Sequence, residues 1–159
     1  MKKLKKILIA LFLFSLTVQS TYCIDTEMKK EDIISIAVNI TKEQYENANY
    51  AIVYEKESIE YVKSGKQSSI TDIYLKVLDE NGREDNSTIV YSYDKNYGKS
   101  ELKKLEVISE NGVIREIDIP SNKSEQSSTE GTASNIYDSS EILVSVKVPG
   151  LNVGDTVHY

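Results

Sequence analysis

The chain has 159 residues, with 19 basic and 25 acidic side chains, one His and a single Cys, for a formal net charge of −6. Such a length suits one domain, and the acidic balance excludes the basic stripe that nucleic acid requires and the polybasic patch that draws a protein to anionic lipid. Because the lone Cys is Cys23, everything after it lacks a disulfide and a Cys-based zinc site.

The N-terminus reads as a secretory signal over residues 1–23. A basic MKKLKK stretch leads into an apolar run of 12 residues, Ile7 to Val18, followed by polar sequence. That run is too short to span a bilayer and has the layout of an export signal. Small residues allow cleavage after Ser20 or after Cys23. Lipoprotein processing would instead make Cys23 a lipidated first residue and the membrane its anchor. The bulky Tyr22 before it disfavours that route. Residues 1–23 hold four Lys and no acid, so the remainder carries 15 basic and 25 acidic groups, net −10. No D-x-[DN]-x-[DN]-G string turns that acidity into a calcium loop; it reads as solubility.

Residues 24–49 read as an N-terminal helical segment. Ile33, Ile36 and Ala37 share helical spacing. Thr41 and Gln44 have the spacing of a capping box, which predicts a second, two-turn helix from Lys42 to about Ala48. After Asn49 the period changes to two, and residues 50–159 read as a β-domain. Tyr50–Val62 and Ser68–Leu78 are strands flanking a turn at Gly65, with Ile73, Leu75 and Val77 on one face of the second and Asp72, Tyr74 and Lys76 on the other. Asp79–Gly82 reads as an Asx and Gly turn. Ile89, Tyr91 and Tyr93 oppose Val90 along the next strand. Two more strands flank Glu110-Asn111-Gly112, a strong hairpin signal. Ser121–Asn135, almost without apolar side chains, reads as a mobile surface loop. Strict alternation returns at Ile142, Val144, Val146 and Val148. A turn with Gly150 and Gly154 then leads to a strand beginning at about Thr156. Seven or eight short antiparallel strands at intervals of about ten residues predict an all-β sandwich, with an open barrel as the alternative. The last strand is shorter than strands usually are, so the chain is expected to be a fragment of a longer polypeptide.

Four segments together resemble a bacterial domain of unknown function that commonly precedes transglutaminase-like domains. They are NITKEQYENANYAIVYEKESIEYVKSGK, YLKVLDENGRED, LEVISENGVIREI and IYDSSEILVSVKVPGLNVGDTVHY, and the resemblance runs from about Ile34 to Tyr159. It implies a β-sandwich module of secreted or envelope proteins, continuing into further strands and often into a Cys-His-Asp hydrolase-like domain. The module brings no catalytic residues to carry over.

The residues alone supply little chemistry. His158 is the only His, and a general base needs both an orienting partner and a nucleophile in reach. The sequence names neither, so His158 is expected on an exposed or half-buried strand. One His without ligand spacing around it gives no zinc site, and no cofactor is implied. Glu55 and Glu57 share a strand face beside Lys56 and Lys63, a solvated arrangement unlike the facing carboxyls of a glycosidase. Every aromatic after the signal is Tyr. Tyr74, Tyr91, Tyr93 and Tyr97 are the candidate binding surface, since a Tyr ring has one apolar and one wet end, although Tyr also simply suits half-buried strands. The sequence therefore predicts a non-catalytic module supporting or presenting a downstream domain of the same polypeptide. The alternative is a free-standing secreted module that binds protein or glycan.

Overall fold

The computed structural model describes residues 27–62, 64–127 and 140–159. The signal reading and most of the 121–135 loop lie outside these residues. The described elements run α1 (Lys30–Asn39), β1 (Tyr50–Tyr61), β2 (Gln67–Val77), α2 (Glu80–Asp85), β3 (Thr88–Asp94), β4 (Glu106–Ile108), β5 (Ile114–Glu116), α3 (Ile119–Asn122), β6 (Lys123–Ser127), β7 (Glu141–Lys147) and β8 (Thr156–His158). The strands form two antiparallel sheets, a five-stranded one ordered β1-β2-β8-β4-β5 and a three-stranded one ordered β3-β7-β6. The predicted sandwich is present.

The core lies between the sheets. Leu75, Val77, Leu105, Val107 and Val157 come from the larger sheet, and Val144, Val146 and Val148 from β7 and the residue after it. Period two explains this directly, because alternate side chains of each strand meet the facing sheet. The expected inner face of β7 is confirmed, with Val144 and Val146 fully buried, while Val90 on the opposite face of β3 is exposed. A second, smaller core sits on the outer face of the five-stranded sheet. There Ile33 of α1 packs with Tyr74 and Ile108, flanked by Ile34, Val53 and Tyr54. Glu31 and Asp32 occupy the first turn of α1, where the helix dipole favours negative charge. Ile33 and Ala37 are buried as their spacing required, but Ile36 faces water.

Three local predictions need correction. Residues 42–47 form turns rather than a helix. The return arm of the capping box still forms, with the Thr41 N–H donating to Gln44 Oε1 at 3.1 Å. Asp79–Gly82 is no isolated turn but the start of α2, because Asp79 Oδ1 accepts the Gly82 N–H at 2.9 Å and so caps a helix. The polar stretch from Ser121 contributes to α3 and then to β6, an edge strand along β7. All five β6 side chains are exposed, so the ladder alone specifies this strand and no alternation betrays it. The Asn-Gly hairpin is present. Gly112 donates its N–H to Ser109 O at 2.8 Å and takes φ 81°, joining β4 to β5.

Two further contacts position the functional region. The β8 strand pairs with only Tyr74–Lys76 of β2, so Gln67–Asp72 are paired by β1 on one side alone. Gly82 packs against the chain entering β1, and a Cβ there would stand 2.0 Å from Asn49 O. Replacing Gly82 with Ala must therefore push α2 off that carbonyl. A loss of about 1–3 kcal/mol in urea unfolding is expected; unchanged stability would show that this approach does not constrain the fold.

Candidate functional site

The most concentrated chemistry lies on the outer face of the five-stranded sheet, where β2, β8 and β4 run side by side. Tyr74 is paired with His158, and His158 with Glu106, as direct cross-strand neighbours. Each occupies the position opposite an inward apolar residue, so the pleat that buries Leu75, Val157 and Val107 turns these three outward. Outward does not mean wet here, because α1 covers this part of the sheet. His158 is only 5% exposed, which corrects the expectation of an accessible or half-buried His.

The sequence named no partner for His158; the fold supplies two. Its Nδ1 lies 2.8 Å from Glu106 Oε2 and its Nε2 lies 2.7 Å from Asp72 Oδ1. Each ring nitrogen is thus within hydrogen-bond reach of a carboxylate oxygen. The Tyr74 ring stacks on the imidazole at a centroid distance of 3.8 Å and an interplanar angle of 11°, and Tyr54 meets Tyr74 edge-on. The stacked rings add packing to these polar contacts. Two lysines complete the cluster. Lys30 of α1 donates to Glu106 Oε2 at 2.7 Å, and Lys104 Nζ lies 3.2 Å from Glu106 Oε1.

These contacts set the ionisation of the cluster. Burial by itself would raise the Glu106 carboxyl. Hydrogen bonds from Lys30, His158 and Lys104 overcome that and hold it at about 2. Burial pushes the Tyr74 hydroxyl up to about 12, reinforced by the charges of Asp72 and Glu106. On the same face, burial lowers Lys76, opposed by Glu110 and Asp155.

The proposed tyrosine surface is not assembled. Tyr74 is 3% exposed beneath α1, Tyr91 and Tyr93 pack against the main core, and Tyr97 stands alone at 91% exposure. Period-two reading placed Tyr74 outward correctly but could not show that a helix lies over it. The Tyr91 hydroxyl is committed to structure, accepting the Leu102 N–H at 3.1 Å. Among the described residues, no group of three or more His, Cys, Asp or Glu is arranged to hold a metal. Asp72 and Glu106 were missed because an acid at an alternating strand position reads as solvated. The available signal was α1, whose apolar stripe requires a sheet face to cover.

With the fold and this cluster in place, comparison with other proteins is informative. A family model described as a domain of unknown function with solved structure, DUF3857, matches residues 63–159. The chain belongs to the DUF3857 family. The match begins in the β1–β2 turn, so α1 and β1 lie outside the span shared with the family model, a shorter extent than the resemblance from Ile34 had implied. The crystal structure of a candidate protease from Parabacteroides distasonis has a similar fold, with a TM-score of 0.60 and 12% identity over 69% of this chain. The chain spans 22% of that protein. No curated protein gave a match. Both DUF3857 segments that carry the cluster, around Asp72–Tyr74 and Glu106, and the strand bearing His158 fall inside the matched span.

The Glu106 contacts predict an acid limb in stability. A carboxylate held below its ordinary value stabilises the fold fully above about 4.5, and the contribution is lost as pH falls from there through about 2. On the order of 2–3 kcal/mol should disappear across that window in pH-dependent urea unfolding. Glu106→Gln should cost about 2–4 kcal/mol at neutral pH and flatten the limb. A limb of unchanged steepness in the variant would assign it to other carboxylates.

Proposed function

We propose that this DUF3857 chain is a non-catalytic β-sandwich module of a secreted or envelope protein, supporting or presenting a downstream transglutaminase-like domain of the same polypeptide. One observation carries the non-catalytic reading: both nitrogens of its only His are engaged by carboxylates. A general base needs a ring nitrogen free to take a proton from a nucleophile, and His158 has neither nitrogen to spare. The stacked Tyr74 covers one face of the ring as well. What the arrangement does well is join elements, since one imidazole bridges β2 to β4 while sitting on β8, and Lys30 ties α1 to the same carboxylate.

The carrier role is supported by the fold match to a segment amounting to 22% of a larger protein. A protease designation belongs to that whole protein. The candidate Tyr patch that would favour a free-standing binding module is divided between two cores and a single exposed ring.

The purified chain should neither cleave casein nor incorporate a fluorescent amine into it. His158→Gln should lower the thermal midpoint by several degrees and leave both blank readings unchanged. Turnover by the parent chain, lost in His158→Gln and in the milder Asp72→Asn, would overturn the non-catalytic reading. Export makes a separate prediction: N-terminal sequencing of secreted protein should begin at Thr21 or Ile24, whereas a blocked Cys23 with added acyl mass would establish lipidation.

A further inference from the structure

The inner face of the five-stranded sheet is not covered along its whole width. On β1, Tyr50 and Ile52 stand beside Val77 and Leu75 of β2, and Glu55 and Glu57 beside Ile73 and Thr71. Cross-strand partners share a face, so all four point to the side on which the three-stranded sheet lies. Leu75 and Val77 are buried there, but Tyr50 and Ile52 are 42% and 54% exposed, and Glu55 and Glu57 are exposed too. Neither carboxylate is ion-paired with a described residue. Chain order explains the difference. Only α3 separates β5 from β6, so β6 lies on the β5 side, and β3, at the other end of its sheet, lies on the β1 side. Five strands are thus roofed by three, and the roof stops short of β1.

The edge bordering this opening is also the least defended. Exposed sheet edges are normally blunted by charge, by bulges or by shortness. Among the described residues, the β1 edge carries Glu55, Lys56, Glu57 and Glu60 and a register shift between Ile52 and Tyr54. The β6 edge carries Lys123 and Glu125, and the short β5 edge carries Arg115 and Glu116. The β3 edge has none of these devices: Thr88–Tyr93 is uncharged and pairs with β7 without a shift. Val148 N–H donates to Ser87 O at 2.8 Å and Lys95 N–H to Ser140 O at 3.0 Å, so odd-numbered residues of β3 bond to β7. Thr88, Val90 and Ser92 then aim their N–H and C=O groups at the opening, and no described strand pairs with them.

We propose that β3 takes up one extended segment of a separate protein, as a fourth strand of the smaller sheet with apolar and cationic side chains turned toward β1. Such a strand, about 4.8 Å beyond β3, lies about 10 Å above the larger sheet and covers β1. Its inward side chains meet Tyr50 and Ile52, then Glu55 and Glu57, so they are apolar at one position and Lys or Arg at the next. Its outward side chains stand in water beside Val90 and Ser92, so these are polar. Backbone bonds to Thr88, Val90 and Ser92 supply the attachment, and the two carboxylates select the charge. The β3 strand of a second copy does not meet these terms. It would bring its own five-stranded sheet into the layer that β1 already occupies, with the same two carboxylates rather than their complement. The inference does not rest on the carrier reading, since the opening beside β3 is there whatever domain the module accompanies.

The probe is a peptide of about eight residues, Thr at the odd positions and Val, Lys, Lys, Val at the even ones. It is added at millimolar concentration while amide hydrogen exchange of the purified chain is followed. The amides of Val90 and Ser92 should slow by about tenfold or more. Those of Ile89 and Tyr91, already bonded to β7, should not change. The same peptide with Glu in place of Lys should give no protection. Val90→Pro removes a donor facing the opening, leaves the β7 ladder intact and should abolish the effect. Glu55→Lys with Glu57→Lys should exchange the preference, so that the Glu peptide protects and the Lys peptide does not. Unchanged exchange at Val90 and Ser92 overturns the proposal, as does equal protection by both peptides or protection that survives Val90→Pro. Slow exchange at both amides in the chain alone, together with a dimer in size-exclusion chromatography, also overturns it and assigns the edge to a second copy. Catalytic turnover by the chain would defeat the non-catalytic reading and leave the exchange result untouched.

Discussion

Three residues of backbone hold the larger sheet together. Thr156–His158 pair with β2 on one side and β4 on the other, and no ladder joins those two strands directly. Without β8, the β1–β2 hairpin and the β4–β5 hairpin would be separate two-stranded ribbons, which have little stability of their own in water. The strand is short but engaged on every side. Val157 is fully buried in the main core, and His158 is buried between the carboxylates of Glu106 and Asp72 and the Tyr74 ring.

The two faces of β8 solve different problems. The inner face needs only volume and shape, and Val and Leu provide them. The outer face places ionisable groups under a helix, where an unpaired charge would be costly. Glu106 and His158 are both engaged by partners. Glu106 meets Lys30, Lys104 and His158, and the second nitrogen of His158 meets Asp72 at the partly exposed end of the cluster. Such an arrangement fixes register and orientation more than it adds net stability. A one-residue slip of β8 would send His158 into the apolar core and Val157 into the ion cluster. The helix is also specified by this chemistry, since Ile33 alone could slide over Tyr74 and Ile108 but Lys30 has one carboxylate to reach.

Alternation made the sandwich legible because burying one face leaves a two-residue period. Val144, Val146 and Val148 could be read as a core stripe from spacing alone. Elements without a buried face were illegible in the same terms. The β6 strand, polar on both sides, looks like a loop. The Asp79 cap was visible as a turn residue, but whether it starts a turn or a helix depends on how Gly82 packs against Asn49. The ion cluster was the hardest to see. Asp72, Glu106 and His158 lie in separate segments, each at a position where a polar side chain is unremarkable. Pairwise proximity was created by strand order, and burial by a helix from outside the sheet; neither leaves a local trace.

The topology also orders events in time. His158 is 86 residues from Asp72 and 52 from Glu106 along the chain. Both hairpins can close locally as soon as they emerge during synthesis, but they cannot be joined until β8 is available. Long-range closures of this kind are slow because loop entropy must be overcome before contacts form. Until then Leu75, Val107 and the edges of two ribbons remain uncovered. A chain wired this way leaves both ribbons open to capture by a chaperone until β8 joins them.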